Sequence, residues 1–144
     1  MAFYPPVGFH FAVRFGISDQ DNDTRFQSVT GLSVEYETET INEGGENRFV
    51  HEIPVRTSYS NLVLKRGMMV DSTVVKWCID AFENRSFEPT DIQVILLNEN
   101  HEPLRTWSVV RAWPKRWSVS DFNAEDNSIV IETLELSYRY YKLL

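Results

Sequence analysis

Three runs near the end of the chain decide the fold: ILLNENHEPLRTW (95–107), AWPKRWSVSDFN (112–123) and NSIVIETLEL (127–136). Apolar stretches alternate with turn residues. The order is a strand over Asp91–Leu97, the polar turn Asn98–Pro103, and a second strand over Thr106–Ala112. A corner at Trp113-Pro114, a polar loop and a long last strand follow. Such spacing predicts an antiparallel β-meander. The residue before a proline avoids the helical region, so Trp113 is expected to be extended. The last strand is expected from about Ser128 to Tyr140, long enough to belong to two sheets or to reach a neighbouring chain.

Upstream, Phe9, Phe11, Val13 and Phe15 alternate with smaller or polar residues, the pattern of a half-buried strand. Ser18–Thr24 (SDQDNDT) reads as a polar hairpin connection. Phe26–Leu32 carries a short strand into Gly31, where glycine permits a bulge or bend. In the next strand, to Ile41, Leu32, Val34 and Tyr36 share one face, and Glu35, Glu37 and Glu39 share the other. Asn42–Arg56 reads as a long extended connection whose Phe49, Val50 and Ile53 have no covering partner in sequence. Loops of that length are uncommon without a task, and exposed apolar residues on one point to a partner subunit. Leu62-Val63-Leu64 forms a strand ending at Lys65-Arg66-Gly67. One helix follows, capped by Asp71 or Ser72, with Val74, Trp77, Cys78, Ala81 and Phe82 as its apolar stripe and its end near Asn84.

A chain of 144 residues, 42% hydrophobic and 24% charged, is long enough for one domain with a real core and too apolar for disorder. The aromatic share, 13%, falls mostly in β-like runs, which gives the core and some interface area to rings. The net charge of −7 argues against a nucleic-acid backbone binder, and Lys65-Arg66 and Lys115-Arg116 are too short to reverse that. The single cysteine, Cys78, excludes an internal disulfide and a multi-cysteine metal site, and reads as a small buried hydrophobe. The N-terminal MAFYPPVGFHFAV has no basic region and is broken by Pro5-Pro6, so no signal peptide is expected. No run approaches the roughly 20 apolar residues of a membrane span, so no membrane anchor is expected.

The candidate chemistry is sparse. His10, His51 and His101 lie in different segments without metal-ligand spacing, and no metal or cofactor is expected. No nucleophile elbow, phosphate loop or dinucleotide fingerprint is present, and Gly44-Gly45 runs into Glu46, which would repel phosphate. The acidic strand offers paired carboxylates for glycoside hydrolysis, but nothing marks a cleft or a protected carboxyl. The sequons at Asn22 and Asn84 carry no meaning without secretion. No catalytic residue is assigned.

Several segments together, in order along nearly the whole chain, resemble the tail-tube proteins of contractile phages and of extracellular contractile injection systems, a family related in fold to the Hcp tube protein of type VI secretion. They are YPPVGFHFAVRF, Phe26-x3-Thr30-Gly31-Leu32, GGENRFVHEIP, YSNLVLKRG, LLNE, EPLRTW, AWP, Lys115-Arg116-Trp117, DFNA and IETLEL. Met68-Met69-Val70 departs from the pattern and carries no family information.

The resemblance implies a mainly β fold, a small antiparallel β-barrel or two-sheet sandwich with one packed helix, over residues 1–144. It further implies a homohexameric ring, stacked on identical rings into a channel within a contractile sheath. Partners would be the sheath protein, a baseplate or spike hub, a terminal cap and protein cargo in the lumen. Assembly is expected in a bacterial cytoplasm, as part of a phage tail or of a released extracellular or membrane-anchored contractile particle. On this reading the 42–56 loop makes the inter-ring contact through Arg48, Phe49, Val50 and Ile53, while Glu35, Glu37 and Glu39 face the lumen. Three alternatives stand beside it: a tube-initiating ring at the baseplate, an Hcp-like secreted ring, and a soluble carbohydrate binder using Trp107, Trp113 and Trp117.

Overall fold

The computed structural model describes residues 10–18, 24–41, 44, 51–125 and 128–144. In chain order the elements are β1 (Phe11–Phe15), β2 (Ser28–Thr30), β3 (Val34–Ile41), β4 (His51–Tyr59), β5 (Leu62–Gly67), α1 (Thr73–Glu83), β6 (Thr90–Leu97), β7 (Pro103–Val119), β8 (Ile131–Ser137) and β9 (Tyr140–Leu143). The meander forms as its turn residues require. Asn98 Oδ1 accepts from the backbone N–H of Asn100 and of Glu102, both at 2.9 Å, and so folds the chain back from β6 into β7.

β7 is the hinge of the architecture. Its first half pairs with β6 on one side and β9 on the other, and its second half pairs with β8. The expected corner at Trp113-Pro114 is therefore no break in the strand. Pro114 donates no hydrogen bond, and the register slips between Pro114 and Arg116, so the strand crosses from one sheet to the next through a bulge. The expected last strand does serve both sheets, but in two pieces. Trp113 faces Ser137 and Val110 faces Tyr140, with an interruption at Tyr138-Arg139 beside Arg111, whose φ is 53°.

The result is two layers: β1-β6-β7-β9 and β2-β5-β8-β7. β1 pairs with β6 and β2 with β5, so Ser18–Thr24 joins two layers and closes no hairpin. Phe9, expected in the first strand, lies outside the described residues. Val13, Ile92 and Val109 from one layer meet Leu62, Leu64 and Leu136 from the other, all without solvent exposure. Each such side chain contributes about 1.5–3 kcal/mol on burial. Helix α1 adds Val74, Trp77 and Cys78 to the same core.

Ser72 caps the helix, accepting from the Val75 N–H at 3.3 Å, and Asn84 ends it. Phe82, expected in the buried stripe, is 45% exposed, because positions 74, 77, 78 and 81 already fill the face turned inward. Trp77 Nε1 donates to the Glu88 carbonyl at 2.6 Å and ties down the segment leaving the helix.

The short basic pair Lys65-Arg66 is split between surface and core. Arg66 is 2% exposed and stands directly opposite Glu132, itself 4% exposed, and the two form an ion pair. Arg66 Nη2 also donates to Ser72 Oγ at 2.9 Å, Trp117 Nε1 donates to Glu132 at 3.4 Å, and the guanidinium lies 4.8 Å from the Phe26 ring centroid. The helix cap, β5, β8 and a tryptophan of β7 thus meet at one charge pair.

Burial, reinforced by the charge of Glu132, pushes the Cys78 thiol from 9.0 up to about 12. Burial, with Tyr141 and Tyr59 nearby, pushes the Tyr138 phenol from 10.0 up to about 12. Both groups hold their protons more tightly folded than unfolded. Their stabilisation is complete below those ordinary values and is lost as pH rises from about 9 towards 12. Melting temperature at fixed protein concentration is expected to fall over that window, and Cys78 to resist thiol reagents at pH 8 until the chain is unfolded. Rapid labelling of the native protein would contradict this placement.

Candidate assembly interface

β3 and β4 form a two-stranded sheet of their own, and every residue of β3 is exposed along its full length. Residues 51–56, expected to be loop, are strand, paired from Ile41↔His51 through Glu37↔Arg56. A register shift beside Pro54 and Val55 accommodates the missing proline donor. The remainder of the expected loop, including Arg48, Phe49 and Val50, lies outside the described residues.

This hairpin continues the β2–β5 pair. Thr30 faces Val63 in one and Val34 faces Tyr59 in the other, so the register runs through the junction without a shift. The junction is made by Gly31, at φ 96°, against Asn61. Ser33 Oγ donates to Ser60 Oγ at 2.7 Å across the root. Tyr59 packs edge-on against Tyr138 and Tyr141 at 5.8 and 5.2 Å, and Tyr138 reaches the Gly31 carbonyl at 3.4 Å. The hairpin is thus anchored at its base and bare above it.

Its two faces differ. Tyr59 sits on the core side with the other tyrosines, and Val34, its opposite number, and Tyr36 share that side by alternation. Glu35, Glu37 and Glu39 occupy the reverse side, as the sequence pattern requires. Their opposite numbers are Ser58, Arg56 and Ile53, so that side is acidic but not uniformly so. Glu37 pairs with Arg56 at 3.0 Å, both well exposed, a contact of small energetic weight.

Tyr36 is 65% exposed, and Val34, Ile41, Ile53 and Val55 are each 40% or more exposed. An isolated two-stranded ribbon is marginal in water, and among the described residues no further strand pairs with either edge. Beyond the hairpin lies the outer face of β2-β5-β8-β7, turned away from the core. There two rows cross all four strands: Ser28, Lys65, Thr133, Ser118, and Thr30, Val63, Glu135, Arg116. Four small hydroxyls dominate them, with Lys65, Arg116 and Glu135 as the charged members.

The other candidate residues are scattered. His10 and His101 meet edge to face with ring centroids 5.2 Å apart, while His51 lies on β4. Among the described residues, no three His, Cys, Asp or Glu side chains are grouped to hold a metal ion. A groove of about 310 Å³ between β1 and β2 is lined by Phe11, Val29, Leu32, Val94, Leu96 and Trp107 with Gln27 and Ser28, none of them ionisable. Trp107 and Trp117 pack against the core, and Trp113 stacks edge-on with Phe87 at 5.8 Å, so the three do not form one exposed platform.

A sequence model of the T4-like virus tail tube protein gp19 family matches residues 7–142. The chain belongs to that family. A chain in the baseplate of the anti-feeding prophage is 32% identical, with 99% of this chain and 97% of that one covered and a TM-score of 0.90. A chain in the extended sheath–tube complex of the PVC extracellular contractile injection system is 26% identical, covering 99% and 93%, with a TM-score of 0.83. Hcp1 of Flavobacterium johnsoniae, 12% identical over 92% and 93% with a TM-score of 0.54, shares the fold. A search of curated protein sequences finds no match. For this tail-tube family member, the expected mainly β fold with one packed helix stands, with the free hairpin as an addition.

Proposed function

We propose that the chain is the inner-tube subunit of a contractile injection particle, six copies forming a ring and rings stacking into a channel that holds or conducts protein cargo. Family membership carries this reading, together with the likeness to chains of sheath–tube, cap and sixfold baseplate assemblies. The role is mechanical, and no residue needs to react. Sheath, baseplate and cap proteins are its partners. No helix among the described residues is long and apolar enough to cross a membrane.

The exposed hairpin supports stacking. Val34 and Tyr36 on its core side, with the neighbouring Arg48, Phe49 and Val50, become covered by copies in the next ring, and Ile53, which stands opposite Glu39, is covered at the margin of the acidic side. The hydroxyl-rich face of β2-β5-β8-β7 and the co-facial Glu35, Glu37 and Glu39 line the bore, where repeated carboxylates give a negative potential screened over about 8 Å at physiological salt. Tyr36→Asp with Ile53→Asp is expected to leave the subunit folded by circular dichroism and to abolish stacked tubes in electron micrographs. Reversing the three glutamates to lysine is expected to preserve tubes and change cargo loading. Loss of tubes in that variant would make the acidic side a contact.

A second reading has its own support: 32% identity to a baseplate chain, against 25–26% to chains of the sheath–tube, cap and terminator assemblies. In that case the ring initiates the tube. Locating the subunit within assembled particles separates the two, since an initiator occupies one level and a tube subunit repeats along the length.

A further inference from the structure

Met68-Met69-Val70, the run that departs from the family pattern, belongs to an apolar surface that the two layers leave uncovered. Met68 directly follows the last residue of β5. Its N–H donates to the Val130 carbonyl at 2.8 Å, and Gly67 faces Ile131, so Ile129 stands beside it where the chain enters β8. A Cβ at Gly67 would meet Ile129 Cγ2 at 3.4 Å. On the far side of β8, the Ser120 N–H donates to the Ile131 carbonyl at 2.8 Å, which brings in the end of β7 and, two residues on, Phe122. Val70 is 99% exposed, Phe122 78%, Ile129 70% and Met68 44%. Four large apolar side chains thus sit at one end of β5, β8 and β7.

That end is opposite the hairpin. β3 and β4 extend the β2–β5 pair beyond Leu62, whereas Met68 follows Gly67 at the other end of β5. The six residues of β5 separate the two by about 20 Å, and the eight residues of β3 carry the hairpin roughly 26 Å further away. A hairpin anchored at Gly31 and Tyr59 therefore cannot cover the patch of its own subunit. Val34, Tyr36, Ile41, Ile53 and Val55 on the hairpin are exposed as well, so each end of one strand pair carries apolar side chains that the chain itself leaves in water. We infer that Met68, Val70, Phe122 and Ile129 form the seat for the hairpin of a second copy of this chain, in the next ring. The inference rests on the tube reading above and adds the receiving surface to it. Two different patches on one chain make a head-to-tail contact, which repeats without closing. Such a stack has a direction: hairpins stay bare at one end and seats at the other, so the proteins that begin and end the tube meet different surfaces.

The test compares the full wild-type chain with a seat variant, Val70→Asp/Phe122→Asp, and a hairpin variant, Tyr36→Asp/Ile53→Asp. Each variant is expected to form rings of normal diameter and at least tenfold fewer stacked tubes than wild type in electron micrographs. Val70→Asp alone, at an almost fully exposed side chain, stands in should the double seat variant misfold. Rings of the two variants, assembled separately and then mixed, each keep one intact end, so stacks of two rings and no more are expected. Normal tubes from either variant would overturn the inference, as would a mixture that stays as single rings. A folded seat variant that forms no rings would make the patch a contact within the ring and overturn it too. Failure of wild type itself to form rings would instead strike the tube reading.

Discussion

Glu132→Ala is expected to lower the unfolding free energy of the subunit by about 3–5 kcal/mol, because it removes the buried carboxylate that faces the Arg66 charge in the core. Such a loss is a large part of the 5–15 kcal/mol that holds a typical domain together. The same change frees Trp117 Nε1 of its acceptor and loosens the guanidinium that reaches the helix cap at Ser72. The double change Arg66→Met/Glu132→Leu removes both charges and substitutes apolar side chains of similar size, so it is expected to recover most of the lost stability. Urea unfolding at fixed protein concentration measures both, the fixed concentration being needed because assembly stabilises the folded state. Equal losses in the single and double variants would show that shape, and not charge pairing, sets the requirement at this position.

Gly31→Ala should be the most damaging substitution outside the core. At φ 96° an L side chain is strained, and a Cβ there would stand 1.9 Å from the Asn61 carbonyl oxygen, which is backbone and cannot move aside. Strain of this kind costs on the order of 1–3 kcal/mol before any clash is counted. The cost falls on the junction between β2 and β3, so the hairpin loses its seat against Tyr59 and Tyr138 while the two layers can persist. Near-native circular dichroism, a lower melting temperature and no stacked tubes are the expected combination. Normal tubes from this variant would show that hairpin orientation is not set at Gly31.

Most strands were legible because burial writes a period of two into the sequence. Leu62, Leu64 and Arg66 share a face, as do Glu132, Leu134 and Leu136. That alternation would have placed both charges inside had it been followed past the leucines. The helix was legible through Ser72 and its apolar spacing, with Phe82 misassigned because spacing alone does not set the width of the buried stripe. The hairpin was half legible. The alternation of Leu32–Ile41 announced a strand, but Glu52, Pro54 and Arg56 disguised β4 as loop. An arm exposed on both sides lacks the hydrophobic asymmetry by which strands are recognised. Pairing between strands distant in sequence, β1 with β6 and β2 with β5, was not legible either, since local turn chemistry cannot reveal which distant strand is a neighbour.

Negative-stain electron microscopy of the purified wild-type protein, with classification of end-on views, tests the central claim most directly. Sixfold rings, stacking into tubes as concentration rises, are the expected result. A monodisperse monomer at high concentration, with and without the sheath and baseplate partners, would contradict it.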